Sequence, residues 1–299
     1  MNRWIVQFWF CLVGLSTILT HQHHVVDIIG GLVLAILCLS IVRDNPVPGH
    51  SAKCYRIAAY YGLASVSLMS IAVFLGPWGW LLWWIAIAMA VVATGYLGLG
   101  ASIYRKQAGC LPLSARILLA PVLCGQYLSL LYYRRRCRPW DQVLPGVWLG
   151  RQLNCSEAAE IVRRGVTAVL DLTAEFSEAK PLRTREYLNL PVLDLTAPAN
   201  AQLEDAAAFI ATHSLHGRVY VHCKIGYSRS VAAVAAYLLR SGRSRSVEEA
   251  VQLIRHVRPT VAVRPEIWTT LRQFHRSRDQ RPRSIYRWPI DGTESWVSQ

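Results

Sequence analysis

Lysine is scarce in this 299-residue chain: only four of its 32 basic side chains are lysines, and the formal net charge of +14 is mostly arginine. Acids are scarcer still at the start. Through Tyr133 the only ones are Asp27 and Asp44, beside seven basic residues. So little charge over so long a stretch excludes an ordinary water-soluble domain there. Paired cysteines are also missing. The eight cysteines stand at 11, 38, 54, 110, 124, 137, 155 and 223 without a C-x-x-C, which excludes a disulfide framework and suits a reducing compartment. No motif that reads a nucleic-acid groove is present, so the basic charge is assigned to an anionic lipid surface and no nucleic-acid partner is expected.

What the first 133 residues do contain is apolar runs. Residues 4–20, 25–42, 57–75 and 78–104 each approach or exceed the ~20 residues that a helix needs to cross a bilayer. Trp78, Trp80, Trp83 and Trp84 cluster at one end of the fourth run, as an interfacial aromatic belt does. Arg3, then Arg43, Lys53 and Arg56, then Arg105, Lys106 and Arg116 occupy alternate connections. The positive-inside rule then places the amino terminus and these loops in the cytoplasm. A fifth run, 117–133, is followed by Arg134, Arg135 and Arg136. Read as an interfacial or re-entrant helix, it keeps the rest of the chain on the cytoplasmic side.

After Pro139 the pattern changes to alternating strands and helices. Strands are expected at 147–151, 167–172, 187–193 and 219–222, and helices at 156–164, 203–213, 230–240, 247–255 and 265–274. The fold expected is thus an α-helical transmembrane domain (1–133) followed by an α/β domain (139–280). The latter has a mixed, mostly parallel sheet flanked by helices, and a polar tail follows at 281–299.

The stretch 218-RVYVHCKIGYSRSVAA-233 carries the chemistry. Cys223 ends a buried strand, where open α/β sheets place their sites. The short loop Lys224, Ile225, Gly226, Tyr227 and Ser228 aims backbone N–H groups inward as an anion nest at a helix N-terminus. A thiol under that nest has its thiolate favoured, and Arg229 is able to grip two phosphate oxygens. The His222-Cys223-x5-Arg229 pattern resembles the dual-specificity branch of the cysteine-based protein tyrosine phosphatases, over roughly residues 140–276. That resemblance implies roles residue by residue. Cys223 is the nucleophile, Arg229 binds phosphate, Ser230 helps the thiolate leave, and His222 supports the cysteine. No metal or cofactor is implied. A proton donor is also needed. Asp194, in 187-YLNLPVLDLTAPA-199, matches the position of the family's donor; Asp171, in VLDLTAE, is the rival.

A second motif, 16-STILTHQHHVVDIIGG-31, places His23 and Asp27 four residues apart on one helix face. It resembles the last motif of the phosphatidic acid phosphatase type 2 superfamily, in which such a pair serves phosphotransfer. Fifteen residues precede it, too few for that family's upstream histidine, so His23 and Asp27 read either as a remnant site kept in an anchor or as part of a domain whose start lies upstream of this sequence. The function expected is a membrane-anchored dual-specificity protein phosphatase, with a bilayer and a phosphorylated protein as partners. The alternative substrate is a phospholipid headgroup, phosphoinositide or phosphatidylglycerophosphate. Two further readings are a phosphotransferase using His23 and Asp27 and a non-catalytic phosphate-binding module. Lys224 is read either as part of the phosphate site or as a solvated rim charge.

Overall fold

A computed structural model of the chain describes residues 53–279, with a few positions before them (Phe8, Trp9, Leu12, Ser16 and Gly31). The expected spans 4–20 and 25–42, the His23/Asp27 motif and the tail 281–299 lie outside the described stretch.

Two apolar helices come first. α1 (Tyr55–Phe74) has 20 residues, about 30 Å at the usual rise. A 3-10 turn, Gly76–Gly79, reverses the chain into α2 (Trp80–Thr94). A π turn (Gly95–Leu99) and a 3-10 turn (Gly100–Tyr104) prolong α2. Small residues let the pair approach closely: Ser65 Oγ donates to Ala86 O at 2.8 Å, and Ala72 and Ala86 are fully buried. Tyr55–Phe74 and Gly76–Tyr104 are each long and apolar enough to cross a membrane. They coincide with the expected runs 57–75 and 78–104.

The expected single helix at 117–133 is two helices, α3 (Leu113–Leu118) and α4 (Ala120–Arg134). Pro121, in the first turn of α4, has no N–H to continue the ladder from α3, and Leu119 leaves helical geometry between them.

The α/β unit follows as β1 (Trp140–Leu144), β2 (Val147–Arg151), α5 (Cys155–Arg163), β3 (Val166–Thr173), α6 (Lys180–Arg183), β4 (Glu186–Val192), α7 (Asn200–Ser214), β5 (Arg218–Cys223), α8 (Arg229–Arg240), α9 (Val247–Val257) and α10 (Pro265–Asp279). Strand order is β1-β2-β5-β3-β4. Only β1 runs antiparallel to its neighbour, which is the mixed, mostly parallel sheet expected. β1 and α6 were not foreseen.

Helices cover both faces. α5 and α6 pack Ala158, Ile161 and Leu182 on Trp148, Val169 and Tyr220. On the other face lies α8, whose alanines 232, 233, 235 and 236 are buried against β5 and α7. Alanine at these positions allows the close helix–sheet approach that seats its N-terminus under the loop after β5. Caps fix the flanking helices: Asn154 and Glu157 form a capping box on α5, and Ser246 accepts from the Glu249 N–H on α9. A third apolar cluster joins the parts. Ile57, Val92, Tyr96, Leu118 and Leu119 of the apolar helices pack with Ala174 and Leu193 of the α/β unit.

Candidate active site

β5 is buried from Val219 to Cys223, and its register sets Arg151 beside Cys223 and Asp171 beside His222. The chain then turns through Lys224–Ser228 into α8. Gly226 makes that turn possible. Its φ is +79°, and a Cβ there would sit 2.5 Å from Gly150 O of the adjacent strand. From behind, the buried Arg258 clamps the loop. Its guanidinium donates to Ile225 O at 3.1 Å and to Asp141 Oδ2 at 2.5 Å.

Cys223 Sγ accepts from the Gly226 N–H at 3.3 Å and lies 3.2 Å from Ser230 Oγ. Burial alone would push the thiol pKa up. The Arg229 guanidinium and the hydrogen bonds from Ser230 and Gly226 outweigh it and hold the thiol below its ordinary value. Arg229 is fixed by Glu175, with Nη1–Oε2 at 3.0 Å and Nη2–Oε1 at 2.7 Å, and by a bond to Val192 O at 2.7 Å. Its other edge reaches Asp194 Oδ1 at 3.2 Å.

Asp194 therefore stands at the loop, as the motif implied. Burial pushes its carboxyl up, but Arg229 and Lys224 outweigh this and hold it below the carboxylate range. Asp171 does not share that place. It is fully buried and accepts from Tyr187 Oη and from the Thr173 N–H and Oγ1, each at 2.7 Å, and from Lys106 Nζ at 2.5 Å. Burial raises it, while Lys106 and His222 bring its pKa to about 2. The rival donor is thus an internal counter-ion, set beneath the sheet end and away from the cavity. Lys224 is not a solvated rim charge either: its side chain is 6% exposed and its ammonium lies between Gln126 Oε1 (2.5 Å) and Asp194 Oδ2 (3.2 Å).

His222 is buried, with Nε2 2.7 Å from Glu178 Oε2 and 3.8 Å from Asp171 Oδ1. Burial opposes its protonation, but the two carboxylates prevail and raise its pKa. Asp171, Glu178 and His222 bring their donor atoms within 4.8 Å of one another, a geometry open to a metal ion. The Lys106 ammonium already supplies positive charge to that group.

A cavity of about 670 Å³ opens above Cys223. Its floor is the loop with Arg229, and Asp194 stands on its side. The apolar helices supply part of its wall, through Tyr61, Met89, Pro121 and Gln126, and Ala262 and Arg264 of the α/β unit supply another part. Tyr227 closes on that wall, its ring edge-on to Tyr133 with centroids 6.2 Å apart. Sequence reasoning missed Glu175, Glu178, Lys106, Gln126 and Tyr96. One signal was available for Glu175: a buried arginine needs a carboxylate, and few acids are near in sequence.

The arrangement sets a thiol with a lowered pKa, a fixed guanidinium and a carboxyl around the floor of one cavity. A family model described as "Dual specificity phosphatase, catalytic domain" matches residues 147–277. The chain is 39% identical over 93 residues to a "Phosphatidylglycerophosphatase and protein-tyrosine phosphatase 1" of Mus musculus, a match covering 30% of this chain and about half (48%) of that protein. The Homo sapiens protein of the same name is 32% identical over 175 residues, covering 54% of this chain and 86% of its own length. The Arabidopsis thaliana "Phosphatidylglycerophosphate phosphatase PTPMT2" is 30% identical over 168 residues, covering 54% of this chain and 73% of its own. With the loop and the matches in agreement, the chain belongs to the dual-specificity phosphatase family of cysteine-based phosphatases.

Proposed function

We propose that the chain is a membrane-anchored hydrolase of phosphate monoesters, acting through a cysteinyl-phosphate on phospholipid headgroups. The observation that carries the substrate class is the cavity wall. The space above Cys223 is bounded by an anion-binding loop, by side chains of the apolar helices such as Tyr61, Met89 and Val122, and by Ala262 and Arg264 of the α/β unit. A phosphate joined to an apolar body fits such a space, charge at the floor and carbon at the wall. Two relatives whose names contain phosphatidylglycerophosphatase lend support.

In the first step Cys223 Sγ bonds to phosphorus while the bond from phosphorus to the leaving oxygen breaks. Arg229 and the loop N–H groups hold the equatorial oxygens. Asp194 gives its proton to the leaving oxygen. That requires a neutral carboxyl. A bound phosphate dianion engages Arg229 and Lys224, the two cations that otherwise keep Asp194 ionised, and so permits it. In the second step water attacks phosphorus and the S–P bond breaks. Asp194 takes the water's proton and Ser230 stabilises the departing thiolate. His222, held by Glu178, orients the cysteine from behind.

The membrane anchor is α1 with α2. Lys53 and Arg56 begin the pair and Arg105 and Lys106 end it, all at the end that packs on the α/β unit. Trp78 and Trp80, both exposed, stand at the opposite end. This distribution supports a cytoplasmic α/β unit by the positive-inside rule.

The test is phosphate release by the full chain in vesicles, offered phosphatidylglycerophosphate, phosphoinositides or phosphotyrosine and phosphoserine peptides, each beside Cys223→Ser. Release from the lipids, lost in the variant, is expected. Release from peptides alone would replace this reading with a protein phosphatase. Phosphate bound without turnover would make it a binding module, and release surviving in Cys223→Ser would move attention to His23 and Asp27.

A further inference from the structure

Two hydrogen bonds cross from the apolar helical segment to the groups that flank the phosphate position. Tyr96, in the π turn after α2, donates from Oη to the backbone carbonyl of Asp194 at 2.8 Å. Its ring is buried and stacked on Tyr61 with centroids 5.9 Å apart. Gln126 of α4 accepts from Lys224 Nζ at 2.5 Å, and the same ammonium lies 3.2 Å from Asp194 Oδ2.

Each bond restrains a part that its own element leaves under-determined. Asp194 sits past the end of β4, in a turn closed only locally. Thr196 Oγ1 donates to Leu193 O at 2.9 Å, and the Leu195 N–H donates to Asp194 Oδ1 at 3.1 Å. Leu195 has φ +63°, in the left-handed region that a branched side chain avoids. Such a residue persists where its surroundings over-determine it: Arg229 and Lys224 hold the Asp194 carboxylate, and Tyr96 holds the backbone of the turn. Lys224 has a long, flexible stem, and Gln126 fixes where its charge stands.

We propose that Tyr96 and Gln126 are positioning residues for proton transfer by Asp194: Tyr96 sets the donor's backbone and Gln126 sets the ammonium that faces its carboxyl. This rests on the phosphatase reading above with Asp194 as donor. The proton matters in the first step, when the leaving oxygen separates from phosphorus as sulfur bonds to it. A nitrophenolate departs readily without a proton, whereas the more basic phenolate does not. Misplacing the donor therefore penalises one ester more than the other, while a general loss of folded enzyme penalises both alike.

The experiment measures kcat/KM of the full chain in vesicles for p-nitrophenyl phosphate and phenyl phosphate, in Tyr96→Phe, Gln126→Met and Asp194→Asn. The pre-steady-state burst of nitrophenolate counts folded sites. Asp194→Asn is expected to lose about 10²-fold or more on phenyl phosphate, to lose less on the nitrophenyl ester, and to flatten the fall in rate with rising pH. Tyr96→Phe and Gln126→Met are expected to reproduce that selectivity, with losses about fivefold or more greater on phenyl phosphate than on the nitrophenyl ester. Equal losses on both esters per folded site, or none, in Tyr96→Phe and Gln126→Met would overturn the proposal while leaving the phosphatase reading in place. Non-selective loss in Asp194→Asn would overturn the donor assignment on which it rests, and unchanged release by Cys223→Ser would overturn the phosphatase site itself.

Discussion

A thiol at the end of a buried strand is harder to ionise than one in water, and Cys223 reverses that through three neighbours. Arg229 acts by charge, Gly226 by its N–H at 3.3 Å, and Ser230 by its hydroxyl at 3.2 Å. Ser230 is the one that can be removed with least disturbance, because Arg229 also anchors Glu175. Ser230→Ala takes away a bond to the thiolate, so the thiol pKa rises. The thiolate is the reactive form and exists above that pKa. The rising limb of kcat/KM with pH should therefore move to higher pH, and iodoacetate alkylation of Cys223 should follow the same midpoint. In the second step the thiolate is the leaving group, so the variant should also slow breakdown of the phosphoenzyme. The nitrophenolate burst would persist while steady-state turnover drops about tenfold or more, a rise of ~1.4 kcal/mol in the barrier. A rising limb that stays in place would remove Ser230 from the thiolate's support.

At the scale of elements, β3 and the segment after α2 meet at a buried ion pair, with the same ammonium also donating to Thr173 O and Oγ1. Lys106 and Asp171 have side chains 1% and 0% exposed. The Asp171 pKa of about 2 lies below its unfolded value, so its contribution to stability is present above ~pH 4 and is lost as pH falls toward 2. Lys106→Met would leave the carboxylate buried without its cation and should cost about 3–5 kcal/mol, read from urea unfolding of the full chain. Adding Asp171→Asn should recover part of that loss, and an unstable double variant would place the cost elsewhere. Neither partner was legible in sequence, where Lys106 counted as a topogenic charge and Asp171 as a rival donor. The pairing depends on where the chain returns after 65 residues. By contrast β5, its loop and α8 were legible, because strand, cysteine, loop and arginine are contiguous and each follows from local rules. β1 was missed because a short edge strand such as Trp140–Leu144 has no clean alternation: only Asp141 is buried there. The break at Leu119 was signalled by Pro121 but hidden inside a run of uniform hydropathy.

Across the whole molecule, the division by composition near residue 134 is not a division of the site. The apolar segment supplies Lys106 to the buried cluster beneath β3, Tyr96 to the Asp194 turn, Gln126 to Lys224, and part of the cavity wall. It also packs on Ala174 and Leu193, both buried in the cluster shared with α1–α4. A fragment of residues 134–299 keeps the whole phosphatase motif, yet loses all of these. Its Asp171 would be left facing Glu178 and His222 without Lys106, at a cost of the same 3–5 kcal/mol, before any apolar exposure is counted. Against a total stability of about 5–15 kcal/mol for a domain of this kind, such a loss places the fragment close to the limit of folding. The expectation is a urea midpoint well below that of the full chain, and a kcat/KM for phenyl phosphate reduced more than for p-nitrophenyl phosphate per folded site. Asp171→Asn in the fragment should raise the midpoint, since it removes the stranded charge, while leaving the ester selectivity unrepaired, since Tyr96 and Gln126 remain absent. A fragment as stable as the full chain and equally able on both esters would reduce the apolar helices to a tether. A fragment that is stabilised by Asp171→Asn but still selective would make them a working wall of the active site.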